Sequence, residues 1–250
     1  MQLANFRRSF TALLPAALLL AACGKDDPQP VAPDKGNVKV YHAAATANVA
    51  VTAFVGDQQV GQLSYGQNSA YQSVNAGSPT VRINNGAQVV TSQAATIAKD
   101  QNYSIFLYSP AATIGSGALL TVPDDLTAPA AGQAKVRIVH LAVGAPSPVR
   151  LSTAPSPIPG SVGADISPDV AFGTASAFFP LNAGATNLTI TTTGTPRTQL
   201  LAVGDGTGTG PVTGTRNYEA GKIYTIIVRG IVGPGVPSAQ GPQVVVVQNN

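Results

Sequence analysis

The two histidines, His42 and His140, are the side chains whose type best suits a metal ligand or a general base. Each follows a cationic residue by three positions, Lys39 and Arg137 respectively. A zinc site needs about four ligands and a nucleophile needs an adjacent base, but neither histidine has a cysteine or an acidic residue nearby in sequence. We therefore predict a structural role for both rings, each hydrogen-bonded at the end of a strand, with ligand binding as the alternative. The sequence predicts no catalytic residue, no metal site, no cofactor and no enzymatic activity.

Two other stretches could carry chemistry. The glycine-rich residues 204–210 lack the Gly-Lys-Ser/Thr ending of a phosphate loop, and Asp205 is their only carboxylate, too few for a calcium loop. Asp124 and Asp125 could act as paired carboxylates, but adjacent residues on an extended strand point to opposite faces. We predict a loop insertion for the first stretch and a solvated linker for the second.

Cys23 is the only cysteine, and it ends an apolar run whose last residues are Leu20, Ala21 and Ala22. Two arginines precede the run, as in a secretory signal. The run is too short for a transmembrane helix, which needs about 20 apolar residues. The Leu-Ala-Ala-Cys pattern resembles the lipobox of bacterial lipoproteins, which implies a signal peptide over residues 1–22 and lipidation of Cys23, with palmitate labelling of the mature protein.

Residues 23–36 are polar and contain three prolines, so we predict a disordered tether between the lipid and the first folded module. Residues 23–27 resemble the acidic export signal of lipoproteins from Bacteroidetes-type bacteria. This resemblance implies a lipid-anchored outer-membrane protein exposed at the cell surface, and a periplasm-facing location is the alternative.

The charge of the chain argues against nucleic acid as a partner. Without the two arginines of the predicted signal, the formal charge falls from +3 to +1, and no basic cluster remains to bind nucleic acid. Charged residues make up only 10% of the chain, which also has 26 glycines and 20 prolines. This composition favours an exported all-β protein, and a chain whose one thiol is lipidated must draw its stability from burial instead of disulfides.

The body of the sequence contains an internal repeat. The matching segments are 38–42 with 136–140, 65–66 with 172–173, 75–77 with 182–184, and 103–107 with 224–228. The offset between the copies grows along the chain, and the extra residues of the second copy fall in 154–168 and 204–214. We predict that both insertions are loops.

Within each copy the apolar pattern has a period of two. Residues 49–55 alternate and then turn at Gly56 and Asp57 into residues 58–63, and Asn85-Gly86 marks a second hairpin. About seven short strands per copy favour two tandem immunoglobulin-like β-sandwich modules. We place these modules at residues 37–130 and 131–250, each large enough to bury a core.

These repeated motifs resemble the bacterial family called domain of unknown function 4397, in two copies covering about residues 37–248. The motifs are V-K/R-x-x-H, an aromatic-Gly pair followed by Ser-Ala-aromatic, an N-A-G turn and a Tyr-x-Ile strand. The resemblance implies exported, often lipid-anchored β-sandwich repeats with no established activity. Family members commonly place carboxylates after the histidine, whereas this chain has none directly after His42 or His140.

Two functions remain in view. The modules could bind or adhere at the cell surface, presenting loops to an extracellular protein or polysaccharide, or they could form a structural envelope spacer without a ligand. The chain has no tryptophan, the residue with the largest stacking face for sugars. We predict that the aromatic residues are core residues, among them Tyr41, Tyr65, Tyr71, Phe172 and Phe178.

Overall fold

The computed structural model describes residues 32–153, 163–195, 197–205 and 215–250. Cys23 and the predicted signal peptide lie outside these residues, as do 154–162 and 206–214 of the two predicted insertions. The residues from Pro33 to Asn250 form one compact unit. Within the described ranges, no helix has the length and apolar character needed to cross a bilayer.

The described residues are almost entirely strands and connections, with two short 3-10 helices, Ala45–Ala47 and Ser238–Gln240. The first half contains β1 (Lys35–Ala43), β2 (Val51–Val55), β3 (Gln58–Leu63), β4 (Gln72–Asn75), β5 (Thr80–Asn85), β6 (Gln88–Ala94), β7 (Asn102–Tyr108) and β8 (Ala118–Pro123). The second half contains β9 (Gln133–Val143), β10 (Val149–Thr153), β11 (Thr174–Ala175), β12 (Phe179–Asn182), β13 (Gly184–Thr186), β14 (Leu188–Thr192), β15 (Gln199–Ala202), β16 (Arg216–Tyr218), β17 (Ile223–Ile231) and β18 (Gln243–Gln248). The all-β prediction is confirmed.

Each half contains one sheet built around a parallel pair of strands. In the first half the strand order is β4-β1-β7-β8, and in the second β9 pairs with β17, β17 with β18, and β9 also with β11 and β12. A second, antiparallel sheet lies over each: β3-β2-β5-β6 in the first half and β10-β14-β15 in the second. The hairpins predicted at Gly56-Asp57 and Asn85-Gly86 are present and join β2 to β3 and β5 to β6. The first strand begins at Lys35, so the last two residues of the predicted tether belong to it.

The parallel strands are buried on both faces. All nine residues of β17 are buried, and so are the last eight residues of β9. Parallel strands covered on both sides typically have continuous apolar sequences, whereas alternation marks a strand with one face in water. Strand β2, in an outer sheet, has that alternating burial pattern.

Two apolar cores lie inside the halves and a third lies between them. The third core joins Tyr41, Ala43 and Phe106 of the first half to Val139, Leu141 and Ile227 of the second. The central sheets therefore pack face to face, and the protein is a stack of four main sheets. Burying a large apolar side chain contributes roughly 1.5–3 kcal/mol, so this third core ties the halves together strongly.

Each connection between strands lies at one of two opposite ends of the stack. Ala45 packs with Val143 and Ile231, so the ends of β1, β9 and β17 lie together. We define the loop end by the connections near these residues: 44–50, 64–68, 86–87, 109–117, 144–148 and 232–242, together with the turn between β14 and β15, which lies beside the start of β10. The opposite end, the terminus end, holds the start of β1, the connection 124–132 and residues 249–250. The immunoglobulin-like assignment and the module boundary near Ala131 remain predictions.

Candidate binding surface

Both histidine rings are buried at the loop end of their strands. His42 Nε2 lies 3.0 Å from the carbonyl oxygen of Val49, and His140 Nε2 lies 3.2 Å from that of Pro146. A carbonyl oxygen only accepts, so Nε2 carries the proton in both rings and donates it. Burial lowers the pKa of both imidazoles, and the hydrogen bonds to the carbonyl oxygens act in the opposite direction. Each ring therefore fastens the end of its strand to the loop that follows.

The aromatic partners of the two rings also correspond. Tyr65 meets the His42 ring edge-on at 5.9 Å between centroids, and Phe172 meets the His140 ring at 5.8 Å. Each Nδ1 is buried without a hydrogen-bond partner among the described residues. Across the same residues, no group of three His, Cys, Asp or Glu side chains is placed to hold a metal ion.

The aromatic-Gly motif makes contact between the halves. The backbone N–H of Gly66 donates to the carbonyl of His42, and that of Gly173 to the carbonyl of His140, each at 2.8 Å. Both glycines have positive φ, +92° and +74°. A Cβ at Gly66 would lie 2.6 Å from Nη1 of Arg229, which belongs to the other half. The glycine therefore leaves room for a side chain from the opposite sheet, a role that sequence analysis of one module could not detect.

A buried ion pair lies at the terminus end of the contact between the halves. Nη1 of Arg137 is 2.7 Å from Oδ1 of Asp124, and both side chains are almost completely inaccessible, at 1% and 0% exposed. Arg137 also donates to Ser104 Oγ at 2.7 Å and to Thr225 Oγ1 at 3.0 Å. Tyr71 donates its hydroxyl proton to Oδ2 of Asp124 at 2.5 Å. The prediction that Asp124 lies in a solvated linker is wrong, because this carboxylate is part of the packed interior.

The neighbouring carboxylate is in solvent. Asp125 has a side chain 58% exposed and lies 2.8 Å from the ammonium of Lys135. Hydrogen bonds from Lys135 and Thr127 lower the pKa of Asp125 to about 2. Nothing in the sequence around them separates Asp124 from Asp125, and only the packing of the second half onto the first distinguishes the two carboxylates.

The polar contacts between the halves are reciprocal. Arg137 of the second half reaches the carbonyl of Pro123, the last residue of β8, at 3.3 Å. Lys39 of the first half reaches the carbonyl of Gln248, the last residue of β18, at 3.2 Å. Reciprocal contacts of equivalent residues are the property of a two-fold interface, and here both partners belong to one chain.

The hydroxyl groups of the two halves also make corresponding contacts, but the carboxylate of one half has an amide as its counterpart in the other. Ser104 Oγ donates to Asp124 at 2.7 Å, and at the equivalent place Thr225 Oγ1 donates to Asn249 Oδ1 at 2.9 Å. At the terminus end, the buried contact therefore contains two cations, Lys39 and Arg137, and one carboxylate. Burial lowers the pKa of the Lys39 ammonium, the charge of Asp124 raises it and that of Arg137 lowers it. This ammonium also lies over a ring, 5.5 Å from the centroid of Tyr71.

The aromatic residues predicted as core lie mostly at this contact between the halves. Tyr41 belongs to the core shared by the halves, and Tyr65 and Phe172 pack at its loop end. The Phe178 ring lies 4.5 Å from the guanidinium carbon of Arg137. Beside Phe178, an open cleft of about 750 Å³ includes Asp124 and Asp125 in its lining. Because Asp124 is held by Arg137 and Tyr71, the arrangement fixes the two halves and leaves this carboxylate no free role in acid–base chemistry.

The loop end has a different character. Six of its connections contain no charged residue, and the turn between β14 and β15 carries Arg197. The four large hydrophobic side chains exposed among the described residues all lie in or beside them: Val49 (43%), Val89 (57%), Ile114 (92%) and Val232 (43%). The nearby cations Arg150 and Arg197 are both ion-paired with Asp165. Their common location makes the loop end the candidate interaction surface, since exposed apolar patches mark such sites.

The most exposed of these side chains is on an anchored loop. Ile114 is in the connection 109–117, and the backbone N–H of Gly115 donates to the carbonyl of Thr46 at 3.1 Å. The hydroxyl groups of Thr46 and Ser109 are 2.6 Å apart, and Thr46 Oγ1 also donates to the carbonyl of Ser116 at 3.0 Å. These bonds hold the loop against the 3-10 helix that follows β1.

The sequence model of the family described as "Domain of unknown function (DUF4397)" matches residues 22–148, just over half of the chain. A solved structure of a candidate cell adhesion protein from Bacteroides eggerthii is similar at 11% identity, with 89% of this chain and 98% of that chain covered, but its TM-score of 0.27 is too low to carry an argument. No curated protein matches the sequence.

Proposed function

We propose that this chain, which belongs to the family described as domain of unknown function DUF4397, is a lipid-anchored cell-envelope protein. We further propose that it binds a partner through its loop end. The observation that carries the proposal is the contrast between the two ends of the stack. All four large hydrophobic side chains exposed in the described part of the chain are at the end opposite to the one where the chain enters β1. A lipid attached before β1 would leave the loop end facing away from its membrane.

The proposed anchor is Cys23. It is 12 residues before Lys35, where β1 begins, and an extended chain of that length spans about 40 Å at roughly 3.3–3.6 Å per residue. Such a reach separates the folded unit from the bilayer surface while the lipid remains inserted. We propose the outer membrane with the folded unit exposed at the cell surface, and a periplasm-facing orientation as the alternative.

The proposed binding surface needs a rigid support, and the contact between the halves supplies it. The shared core around Phe106 and Leu141 and the buried pair of Arg137 with Asp124 hold both sets of loops at fixed positions. Recognition residues are often on loops held by such a scaffold. The same rigidity also suits the second candidate function, a structural envelope spacer without a ligand.

A screen of glycan and protein arrays with the soluble unit, residues 33–250, tests the binding proposal. We expect capture by the parent and its loss in Ile114→Asp, which places a charge on the most exposed apolar side chain. Ala128→Asp adds the same charge at an exposed position of the terminus end and should leave capture unchanged. Equal capture by both variants would contradict a binding site at the loop end, and no capture by the parent would favour the spacer.

Substitution of Cys23 tests the anchor separately. Lipid chains contribute roughly 0.8 kcal/mol for each buried methylene, so two or three chains suffice for stable attachment. The Cys23→Ser variant should lose labelling by a clickable palmitate analogue and should partition into the aqueous phase of a detergent extraction or remain an uncleaved precursor. A variant that still takes up the label and matures normally would refute the lipoprotein assignment.

A further inference from the structure

We infer that the second half has a pocket at the loop end that binds one apolar side chain of a protein partner, a proposal that rests on the proposed function and names the chemistry of its partner. The pocket has a volume of about 170 Å³ and is lined by apolar residues. Its floor is formed by Val149, Ile190 and Val228, which are buried between the two sheets of the second half. Val232, 43% exposed, and the exposed Pro146 and Pro242 surround its mouth.

The first half fills the equivalent space. Leu107 stands opposite His42 in the pairing of β1 with β7, and Val228 stands opposite His140 in the pairing of β9 with β17. Leucine in the first half is therefore replaced by the smaller valine in the second. The packing around Leu107 is tight, since a Cβ added at Gly117 would lie 3.3 Å from Leu107 and 2.9 Å from Val90.

The covering strand also differs between the halves. Strand β6, which carries Val90, is seven residues long, whereas the edge strand β15 of the second half has four residues. A shorter edge strand and a smaller side chain at position 228 together leave the space between the sheets open. The pocket is thus a specific difference between otherwise corresponding halves.

The volume limits what can enter. An apolar cavity of roughly 150 Å³ stays dry and admits a molecule of the size of benzene, whereas pockets for whole small ligands occupy roughly 300–1,000 Å³. A pocket of about 170 Å³ therefore accommodates one aliphatic or aromatic side chain. A membrane acyl chain is much longer than this space and would remain mostly outside it.

The surroundings of the mouth favour a protein partner. Connections 144–148 and 232–242 contain no charged residue, so they offer nothing to a charged ligand. A partner side chain that enters a desolvated pocket, surrounded by weaker contacts that exclude water, is the usual arrangement at a binding hot spot. The exposed Val232 extends the apolar surface of the pocket at its mouth.

Methyl NMR of the mature chain, residues 23–250, tests this site with N-acetyl-leucinamide and N-acetyl-phenylalaninamide as probes. We expect saturable shifts of the methyl signals of Val149, Leu201 and Val228, and no such shifts with N-acetyl-asparaginamide, which is similar in size but polar. Val228→Leu restores the residue type of the first half and should weaken binding of both apolar probes by about tenfold or more. Val89→Leu, the same change at an exposed site outside the pocket, should bind as the parent does.

Leu201→Phe provides a second filling variant, so that the test remains decisive if Val228→Leu lowers the thermal stability. Absence of shifts with both apolar probes, or equal binding by the parent and a folded filling variant, would overturn the proposal. Binding of 1-octanoylglycerol alone would also overturn it and point to an acyl chain. If Ile114→Asp loses array capture but the parent binds neither apolar probe, only the pocket is refuted. If the parent binds the probes but captures nothing on the arrays, the proposed function is refuted.

Discussion

The two halves meet through corresponding side chains, but only the first half contributes a carboxylate to the buried contact. Lys39 and Arg137 reach across to the last strand of the opposite half, and Ser104 and Thr225 donate beside them. Asp124 of the first half corresponds to Asn249 of the second. The difference means that Arg137 is neutralised in the interior, whereas Lys39 reaches a backbone carbonyl and lies near aromatic rings.

Removing the cation from each half in turn should give the largest difference. Arg137→Met leaves Asp124 buried without its ionic partner, and breaking a buried pair in this way costs about 3–5 kcal/mol of unfolding free energy. Lys39→Met removes a cation without stranding a carboxylate, so we expect a much smaller loss. Urea unfolding of both variants and the parent measures the difference, and equal losses would contradict the assigned asymmetry.

Moving the carboxylate from one half to the other should sharpen the comparison. Asp124→Asn leaves two buried cations without a carboxylate, and we expect it to lower the unfolding free energy by a few kcal/mol. Adding Asn249→Asp in that background places a carboxylate beside Thr225 at the equivalent position. Part of the loss should return in the double variant, and a double-variant cycle by urea unfolding measures the recovery. Further destabilisation by the second change would argue against the two-fold correspondence.

The glycines of the aromatic-Gly motif should show a smaller difference. Gly66→Ala and Gly173→Ala both place a Cβ at positive φ, which costs roughly 1–2 kcal/mol. The Cβ at Gly66 would be 2.6 Å from the buried guanidinium of Arg229, whereas at Gly173 the nearest atom, Tyr108 Oη, is 3.2 Å away. We therefore expect Gly66→Ala to be the more destabilising of the two in thermal unfolding.

Gly86→Ala is the matched control for that pair. Gly86 has φ of +57°, and a Cβ added there would meet no atom within 4 Å, so this variant isolates the backbone cost. If all three variants melt at the same temperature, contact with the opposite half plays no part at Gly66.

The smallest expected effect is the pH dependence of the two histidines. Burial lowers the pKa of each ring in the folded protein, so the unfolded chain binds more protons below a pH of about 6.5, and stability falls as the pH decreases through that range. The positive charge of Arg229 lowers the pKa of His42 further, whereas a second carbonyl, that of Ala47, raises it. His42→Gln and His140→Gln should each flatten the decline in stability between pH 7 and 5, measured by urea unfolding at several pH values. An unchanged pH dependence in one variant would show that its ring does not contribute and would separate the two halves.

Several features could be predicted because they depend on local sequence. Alternating apolar residues and glycine-containing turns predicted the hairpins β2–β3 and β5–β6, and the structure contains both. The histidines could be assigned to strand ends from their repeated position. The role of Asp124 could not be predicted, because its partner Arg137 belongs to the other half and nothing in the neighbourhood of Asp124 distinguishes it from the exposed Asp125.

The sequence by itself determined the all-β class and the family, because composition, apolar periodicity and short motifs are local properties of the chain. Only the tertiary structure decided that the central sheets pack face to face, with a charged pair and several of the repeated motif residues enclosed between them. It also decided that the second half keeps an open pocket where Leu107 fills the first. The physical reason is that burial depends on which surfaces meet. The largely apolar sequence of β17, interrupted by Thr225 and Arg229, indicates that both of its faces avoid water, but not which surface covers the second face.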